Sequence, residues 1–416
     1  MLSDPAFIAS HRTDGRAFTR NRVLSFPTVV SFLLSAVKGA LQAELDAFFA
    51  ALAGQGTLLR QVTKSAFSQA RQKLRASVFP ALNERLLTHA APAPSERWRG
   101  WRLVAADSTT LRLPDTPKLW AAFGKQTDSA GRPYCLARAL GLYAVGSRLM
   151  LKASLAGFER DERSLLVELL PGLRADDLLL LDRGFPAVWL FGMLRAAQRH
   201  FCARIDGTSW PVVEAFLASG RPEQSLTLTP GQEARRRCHQ LGVSAEALVL
   251  RLVRVPLPSG QIEVLATSLL DAQRYPAAEF LTLYAQRWAI EEWFKLLKCR
   301  LAVEHFSGES PLAIEQDFHA KLLLANLATL LASTAHATLA PARQRRTRPN
   351  LAYALSALKR VLPQWLLQPA SASLDAMANV LRLLARSLEQ LRPHRSNPRK
   401  HAPVKPRRFR AYKPCL

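Results

Sequence analysis

Apolar residues recur every three to four positions over the first part of the chain, which is the period of an amphipathic helix. The segment from Leu24 to Ala90 shows this pattern twice, in "LSFPTVVSFLLSAVKGALQAELDAFFAAL" and again in "VTKSAFSQARQKLRASVFPALNERLL". Thr63 or Ser65 is suited to cap a helix there. The exposed side of that helix is predicted to carry three cations: Arg71, Lys73 and Arg75. The pattern predicts an N-terminal helical region over residues 1–96, either a small DNA-binding module or a bundle with a solvated basic helix.

The pattern changes after "APAPSE", where Pro92 and Pro94 mark a linker. Short apolar runs typical of strands follow at 102–113, 137–145 and 148–157. A helix ("DERSLLVELLPGL"), the strand-like "DDLLLLDRGF", a helix ("PAVWLFGMLRAAQR") and the strand-like "FCARI" come next. This order predicts a mixed α/β core over residues 97–205 with its central strand buried on both faces, and it is similar to that of ribonuclease-H-like domains.

The rest of the chain divides by the same criteria into four segments. Pro- and Gly-separated apolar runs predict a β-rich insertion over 206–275. A helix from near Pro276 to about Arg300 opens the second part of the core, 276–335. Helical periodicity continues through a C-terminal region, 336–391. The basic, proline-containing segment 392–416 has no acidic residue, which predicts a disordered arm that phosphate orders.

Two aspartates stand where apolar runs end. Asp107 follows "LVAA" and precedes "STT", and Asp182 follows "LLLL" and precedes "RGF". Ligands collect at the carboxyl ends of strands in an open α/β sheet, because the loops converge there. Each aspartate alone is also consistent with a turn former or helix cap. Together they predict a site at one edge of the sheet.

The segment "YAQRWAIEEWFKLLK" (284–298) places its polar residues beside an apolar stripe. In an ideal helix, Tyr284, Arg287, Glu291 and Lys298 fall within an arc of about 60°. Leu283, Ile290, Phe294 and Leu297 form the adjoining stripe, whereas Glu292 and Lys295 face elsewhere. Packing of the apolar stripe on the sheet directs Glu291 towards Asp107 and Asp182. The alternative is a surface ladder of i,i+3 and i,i+4 pairs.

Three carboxylates that converge in this way are suited to a hard divalent cation, Mg²⁺ or Mn²⁺. Two such ions about 4 Å apart activate a water or 3′-hydroxyl and steady the leaving oxygen, which implies phosphodiester cleavage or transfer. Arg287 and Lys298 are candidates to hold flanking phosphates. Tyr284 is a candidate donor to a DNA oxygen.

Charge and composition narrow the class of partner. The chain has 416 residues, 57 Lys and Arg against 32 Asp and Glu, and a formal charge of +25. Nucleic acid is the favoured polyanion and an anionic membrane surface the second candidate, although basic proteomes also produce such chains. The cysteines (Cys135, Cys202, Cys238, Cys299 and Cys415) form no CxxC pair, which disfavours zinc and disulfides. With no leader-like start and no long apolar run, we expect a soluble, cytoplasmic protein without membrane association.

The spacing Tyr284, Arg287, Glu291, Lys298, together with "YAQRWAIEE", Asp107 in "ADST" and Asp182 in "DRGF", resembles the DDE transposases of the bacterial insertion-sequence-four family. The resemblance covers about residues 60–335, including the long interval between Asp182 and Glu291. It implies a ribonuclease-H-like core, three metal-binding catalytic carboxylates, and cut-and-paste transposition of DNA that ends in terminal inverted repeats. It also implies assembly as a homodimer in the synaptic complex, and we expect the protein to be associated with the nucleoid.

Some members of that family pass through a DNA hairpin and hold a flipped base with an aromatic residue. Trp210, the tryptophan of the predicted insertion, is a candidate for this role, and a packing residue is the alternative. Two other functions fit the same residues. One is a metal-dependent nuclease or resolvase without strand transfer, and the other is a domesticated DNA-binding protein without catalysis. The presence of all three carboxylates and both basic residues disfavours the last.

Overall fold

The computed structural model describes residues 1–20, 22–35, 38–89, 97–208, 210–368 and 370–391. The predicted linker at Pro92 and Pro94, the basic tail 392–416 and Cys415 lie outside the described residues. The helices are α1 (Pro5–His11), α2 (Phe26–Leu34), α3 (Leu41–Leu52), α4 (Lys64–Arg71), α5 (Val78–His89), α6 (Pro117–Phe123), α7 (Glu162–Leu169), α8 (Val188–Ala196), α9 (Pro211–Ala218), α10 (Gln232–Gln240), α11 (Phe280–Ala285), α12 (Trp288–Cys299), α13 (Pro311–Ala337), α14 (Pro341–Gln344), α15 (Leu351–Leu367) and α16 (Ala370–Arg386).

The strands are β1 (Arg102–Leu113), β2 (Lys125–Thr127), β3 (Pro133–Ala144), β4 (Leu149–Gly157), β5 (Asp177–Leu181), β6 (His200–Ile205), β7 (Glu223–Leu228), β8 (Leu248–Pro256), β9 (Ile262–Thr267), β10 (Thr347–Pro349) and β11 (Leu388–Gln390). Over the described residues, nine of them form one sheet in the order β2-β3-β1-β5-β6-β9-β8-β7, with β4 paired to β3. The parallel pairs β1–β5 and β5–β6 follow the antiparallel pair β3–β4. The predicted mixed α/β class with a ribonuclease-H-like strand order is confirmed.

The central strand β5 is buried on both faces, as its unbroken apolar run predicts. Every leucine of "LLLL" is fully buried. Alternate side chains point to opposite faces of a strand, so Leu179 and Leu181 pack with α8, whereas Leu178 and Leu180 pack with α11. We call the second surface, which also includes Leu103 of β1, the α11 face of the sheet.

The predicted insertion continues the core sheet and does not form a sheet of its own. Strand β9 pairs antiparallel with β6, and β8 and β7 extend the sheet beyond it. The segment also contains the helices α9 and α10, which the prediction of a β-rich segment missed. The guanidinium of Arg251 in β8 is buried, donates to the carbonyl oxygen of Tyr275 at 2.7 Å and forms an ion pair with Glu223.

Spatially, the chain forms two compact units. One comprises the described residues within Met1–Ala90, Leu111–Leu136 and Lys295–Leu416, and the other those within Ala91–Thr110 and Ala137–Phe294. In the first unit, α13 packs against α2, α5, α15 and α16. The predicted exposure of Arg71 is wrong, because its guanidinium is buried and pairs with Asp317 at 2.9 Å. Gln316 binds the same arginine at 2.9 Å, so α4 is fixed to α13 by buried polar groups.

By length and composition, α13 is the one helix of the described residues that meets the criteria for a membrane span. About two-thirds of its most apolar window, 67%, is buried within the protein. A buried core helix gives the same signal, so this is weak evidence for a membrane.

Candidate active site

The two predicted catalytic aspartates occupy equivalent positions on neighbouring parallel strands. Ala106 of β1 pairs with Leu181 of β5, and each is followed directly by an aspartate. Strand β1 continues to Leu113, so Asp107 lies inside a strand rather than at its end, but the pairing of β1 with β5 stops at Ala106. By the two-residue period of a strand, Asp107 and Asp182 continue the α11 face. The strand register therefore brings together residues that are far apart in sequence.

Backbone amides orient both carboxylates. The amide of Ser108 donates to Asp107 Oδ1 at 2.8 Å, and the amide of Arg183 donates to Asp182 Oδ1 at 2.6 Å. Each carboxylate is thus fixed by the residue that follows it.

The predicted helix over Pro276–Arg300 is interrupted, which is a correction to the sequence reading. A short 3₁₀ helix at Ala277–Glu279 leads into α11, and a turn at Gln286 and Arg287 separates α11 from α12. The amide of Arg287 donates to the carbonyl oxygen of Tyr284, three residues back, so the chain is tighter there than in an α-helix. Tyr284 therefore lies in α11 and Arg287 in the turn, whereas Glu291 and Lys298 lie in α12.

Arg287 is the cation at the centre of the site. Its side chain is 3% exposed, with Nη2 2.9 Å from Glu291 Oε1 and Nη1 3.6 Å from Asp107 Oδ2. Its Nε and Nη1 atoms are buried without a hydrogen-bond partner. Burial alone lowers the pKa of Arg287, but Tyr284, Asp182, Glu291 and Asp107 raise it overall. The guanidinium stays charged and holds the carboxylates by electrostatic attraction.

Burial changes the acidity of Asp107. Loss of solvation raises its pKa to about 6, the negative charges of Glu291 and Asp182 act in the same direction, and the Ser108 amide and Arg287 oppose them. Asp107 and Asp182 follow paired residues of neighbouring strands, and Arg287 contacts both Asp107 and Glu291, so the three carboxylates lie in one region. The site therefore carries more negative charge than one arginine neutralises.

The other predicted site residues lie in different environments. Tyr284 is buried, and its hydroxyl donates to the carbonyl oxygen of Leu181 at 3.1 Å. Burial raises the pKa of Tyr284. Lys298 lies in the last turn of α12 and is half-buried. Trp210 is half-buried next to Phe191, with ring centroids 6.1 Å apart, which matches the packing alternative. The DNA-contacting roles of Tyr284, Arg287, Lys298 and Trp210 stay predictions.

The donor chemistry of the site fits a divalent cation, but the side chains do not form a closed cage. Neighbouring carboxylates with excess negative charge are ligands that Mg²⁺ and Mn²⁺ prefer. In the part of the chain that the structure describes, no three Asp, Glu, His or Cys side chains are arranged to hold a metal ion. Arg287 instead bridges Asp107 and Glu291.

Glu162 beside this site was missed by sequence reasoning. Its Oε1 accepts from the Ser108 hydroxyl at 2.6 Å and from Arg138 Nη1 at 2.7 Å. In the sequence, Glu162 lies in the first turn of a helix, where a carboxylate is common because it interacts favourably with the helix dipole. No local signal separates that ordinary use from a contact with a residue 54 positions away.

A second candidate site lies in the first unit. A surface cavity of about 740 Å³ is lined by Arg16, Arg20, Arg22, Gln69 and Lys73, among others. These four cations are exposed, and none of them forms an ion pair with another described residue. A concave surface with four cations attracts phosphate groups.

Comparison with known proteins identifies relatives. A family model described as "Transposase DDE domain" matches residues 98–327, more than half of the chain. The transposase InsG of insertion sequence element IS4 from Escherichia coli K12 is 29% identical over 273 residues, 64% of this chain and 60% of the relative. The putative transposase InsZ of the same organism is 27% identical over 207 residues, 48% of this chain and 64% of the relative. The chain thus spans about three-fifths of the length of the curated relatives it matches.

Among solved structures, the piggyBac transposase in a synaptic complex with hairpin DNA aligns with a TM-score of 0.46 and 10% identity, over 91% of this chain and 83% of that one. The family match and the similarity to InsG confirm the resemblance to DDE transposases of the insertion-sequence-four family, whereas the Tyr-Arg-Glu-Lys signature stays a prediction. Because the family model covers more than half of its residues, this protein belongs to the family with a transposase DDE domain.

Proposed function

We propose that this protein is a DNA transposase that cleaves DNA at transposon ends and joins those ends to target DNA. The observation that carries the proposal is the buried Arg287, which pairs with Asp107 and Glu291, together with the strand register that sets Asp107 beside Asp182. Three carboxylates from separate parts of the chain are costly to bring together without a cationic ligand, so their convergence favours a functional role.

Asp107, Asp182 and Glu291 would hold the metal, Mg²⁺ or Mn²⁺, and we propose two ions. When bound, such ions supply an activated water or 3′-hydroxyl and stabilise the leaving oxygen of a phosphodiester. The amides of Ser108 and Arg183 orient the two aspartates. Arg287 neutralises part of the charge of Asp107 and Glu291.

We propose that the partner is double-stranded DNA, both the terminal inverted repeats of the element and the target. The charge of +25 and the basic cavity at Arg16, Arg20, Arg22 and Lys73 support this partner. A homodimer in the synaptic complex and a cytoplasmic, nucleoid-associated location follow from the proposed reaction.

The experiment is cleavage and joining of DNA that carries the sequences flanking the gene, with Mg²⁺ or Mn²⁺. Asp107→Asn, Asp182→Asn and Glu291→Gln are each expected to reduce cleavage by roughly 10²-fold to 10³-fold or more, since each removes a group that stabilises the transition state. DNA binding should persist. Glu292→Gln is the matched control, because this neighbouring glutamate is exposed on the same helix.

The outcomes separate the alternatives. Cleavage without joining identifies a nuclease or resolvase. Binding without cleavage by the unaltered chain identifies a DNA-binding protein and overturns the proposal. Loss of folding in all three carboxylate variants would assign these residues a structural role.

A further inference from the structure

The first turn of α7 lies beside both aspartate-bearing segments of the candidate active site. Asp161 caps this helix by accepting from the amide of Ser164 at 2.9 Å. The cap fixes the backbone where the next two side chains, Glu162 and Arg163, begin. These two side chains reach in different directions, towards the residue after Asp107 and towards the turn after Asp182.

Glu162 contacts the Asp107 side. Its Oε1 accepts from the hydroxyl of Ser108, whose amide in turn holds Asp107. The same oxygen accepts from Arg138 Nη1 at 2.7 Å, so the charge of Glu162 is compensated. Arg138 is itself held, with its guanidinium 5.0 Å from the ring centroid of Phe158 and Nη2 donating to the Phe158 carbonyl oxygen at 3.3 Å. The arginine, glutamate and serine form a fixed chain of contacts.

The Asp182 side is held by the same helical turn. Arg163 donates from Nε to the carbonyl oxygen of Phe185 at 3.0 Å and from Nη2 to that of Pro186 at 3.3 Å. A Cβ at Gly184 would lie 3.3 Å from Glu162 Oε2. The glycine of "DRGF" therefore lets the turn approach the glutamate closely.

From these contacts we propose that Glu162 is a positioning residue that fixes the segment of Asp107 relative to the turn that follows Asp182. It acts through the Ser108 hydroxyl on one side and through its close packing against Gly184 on the other, and Arg163 reinforces the second contact. Its effect on cleavage rests on the proposed function. The positioning itself does not, so it can be tested without catalysis.

The first test is backbone amide hydrogen exchange in the metal-free full-length protein, followed by mass spectrometry. Glu162→Ala should increase exchange in peptides that contain the Ser108 and Arg183 amides, since both donate to the carboxylates being positioned. Glu162→Gln should stay close to the unaltered protein, because its amide oxygen still accepts from Ser108 and Arg138. Glu168→Ala is the matched control, since Glu168 lies on the same helix in a half-exposed pair with Arg160.

The second test measures the Mg²⁺ or Mn²⁺ concentration that gives half-maximal DNA cleavage. Residues that orient metal ligands typically contribute 10-fold to 100-fold to metal affinity or activity. Glu162→Ala should raise that concentration by on the order of 10-fold, whereas Glu162→Gln and Glu168→Ala should shift it little. Equal loss in the Gln and Ala variants would assign Glu162 a direct role in catalysis and overturn positioning.

A double-variant comparison tests the contact with Gly184. Gly184→Ala should increase exchange at the Arg183 amide in the presence of Glu162 and have a smaller effect in the Glu162→Ala background, because the crowded oxygen is then gone. Unchanged exchange in Glu162→Ala at both peptides would overturn the proposal. If the unaltered chain cleaves no DNA, the proposed function fails, while the exchange results still decide the positioning role.

Discussion

Arg287 shows how one residue stabilises an otherwise repulsive group of charges. Its side chain is 3% exposed and pairs with Asp107 and Glu291. Removal of one partner from a buried pair leaves an uncompensated charge, at a cost of about 3–5 kcal/mol. Since both carboxylates keep partial solvent access, we expect Arg287→Met to lower the free energy of unfolding by about 3 kcal/mol, the lower end of that range.

Urea unfolding in metal-free buffer is the measurement for Arg287→Met. Arg287→Lys serves as a comparison, because it retains the charge but not the planar fork. Arg287→Lys should lower the free energy of unfolding by less than Arg287→Met does. Equal stability of the Met variant and the unaltered protein would mean that these ion pairs do not support the fold.

The raised pKa of Asp107 leads us to expect that the free energy of unfolding depends on pH. Its pKa in the folded protein, raised to about 6 by burial, lies above its ordinary value of 3.8. Between these values the folded state binds more protons than the unfolded state, so stability falls as the pH rises and the loss is complete above about 6. The free energy of unfolding of Asp107→Asn, minus that of the unaltered protein, should therefore increase by about 2 kcal/mol between pH 4.5 and pH 7.

Urea unfolding at the two pH values, with a chelator present, measures this difference. Glu292→Gln is the control for loss of an exposed carboxylate on α12. A constant difference between Asp107→Asn and the unaltered protein across this range would contradict a raised pKa for Asp107.

Local sequence patterns predicted part of the site at the residue scale. Asp107 and Asp182 were found because each follows an apolar run that becomes a buried, paired strand. The ion pair of Arg287 with Glu291 follows from their i,i+4 spacing, but the pair with Asp107 depends on how α11 packs on the sheet. The contacts of Glu162 and the burial of Arg71 also depend on partners distant in sequence. Tertiary contacts of this kind leave no periodic signal.

Strands were predicted more closely than helix continuity. The run at 102–113 coincides with β1, and the apolar residues Leu103 to Ala106 near its start are buried. The apolar pattern of 276–300 is helical throughout. The amides of Gln286 and Arg287, however, donate to carbonyl oxygens three residues back, and this change of bonding separates α11 from α12. The spacing of apolar residues does not reveal a local change from i→i−4 to i→i−3 backbone hydrogen bonds.

The pairing of the inserted strands with the core leads to a prediction about the stability of the sheet when the segment 206–275 is removed. Because β9 covers the edge of β6, we expect the segment to be indispensable. Replacement of 206–275 by a short Gly-Ser linker should expose β6 and lead to aggregation, because an unpaired strand edge associates with other chains. Size-exclusion chromatography and thermal unfolding followed by circular dichroism measure this outcome.

A Gly-Ser insertion in the turn between β8 and β9, residues 257–261, controls for the presence of a linker. It should leave a cooperatively folded protein that does not aggregate, since turns tolerate insertions. A shortened chain that melts like the unaltered protein would instead make the insertion an independent domain.

At the scale of the whole molecule, the predicted N-terminal and C-terminal helical regions belong to one compact unit. The helix α13 contacts both α5 from the N-terminal region and α15 from the C-terminal region. In the sequence, the nine strands of the sheet separate α5 from α13 and α15. Their periodicity predicts that each has an apolar face but does not determine which faces meet. The bounds of the six predicted segments stay predictions.

The charge of the molecule leads to a prediction about DNA binding. Each phosphate neutralised on duplex DNA contributes about −0.9 to the slope of log K against log salt. If Arg16, Arg20 and Lys73 of the basic cavity each contact one phosphate, their replacement by alanine should make the slope less steep by about 2.7. A titration of a fluorescent duplex at several salt concentrations measures this slope.

The matched control replaces three exposed cations of the same unit outside the cavity, Lys118, Arg132 and Arg382. Both triple variants lose the same net charge, so a general electrostatic attraction would change the two slopes equally. A larger change in the cavity variant would locate phosphate contacts at this surface, whereas equal changes would assign the affinity to the overall charge.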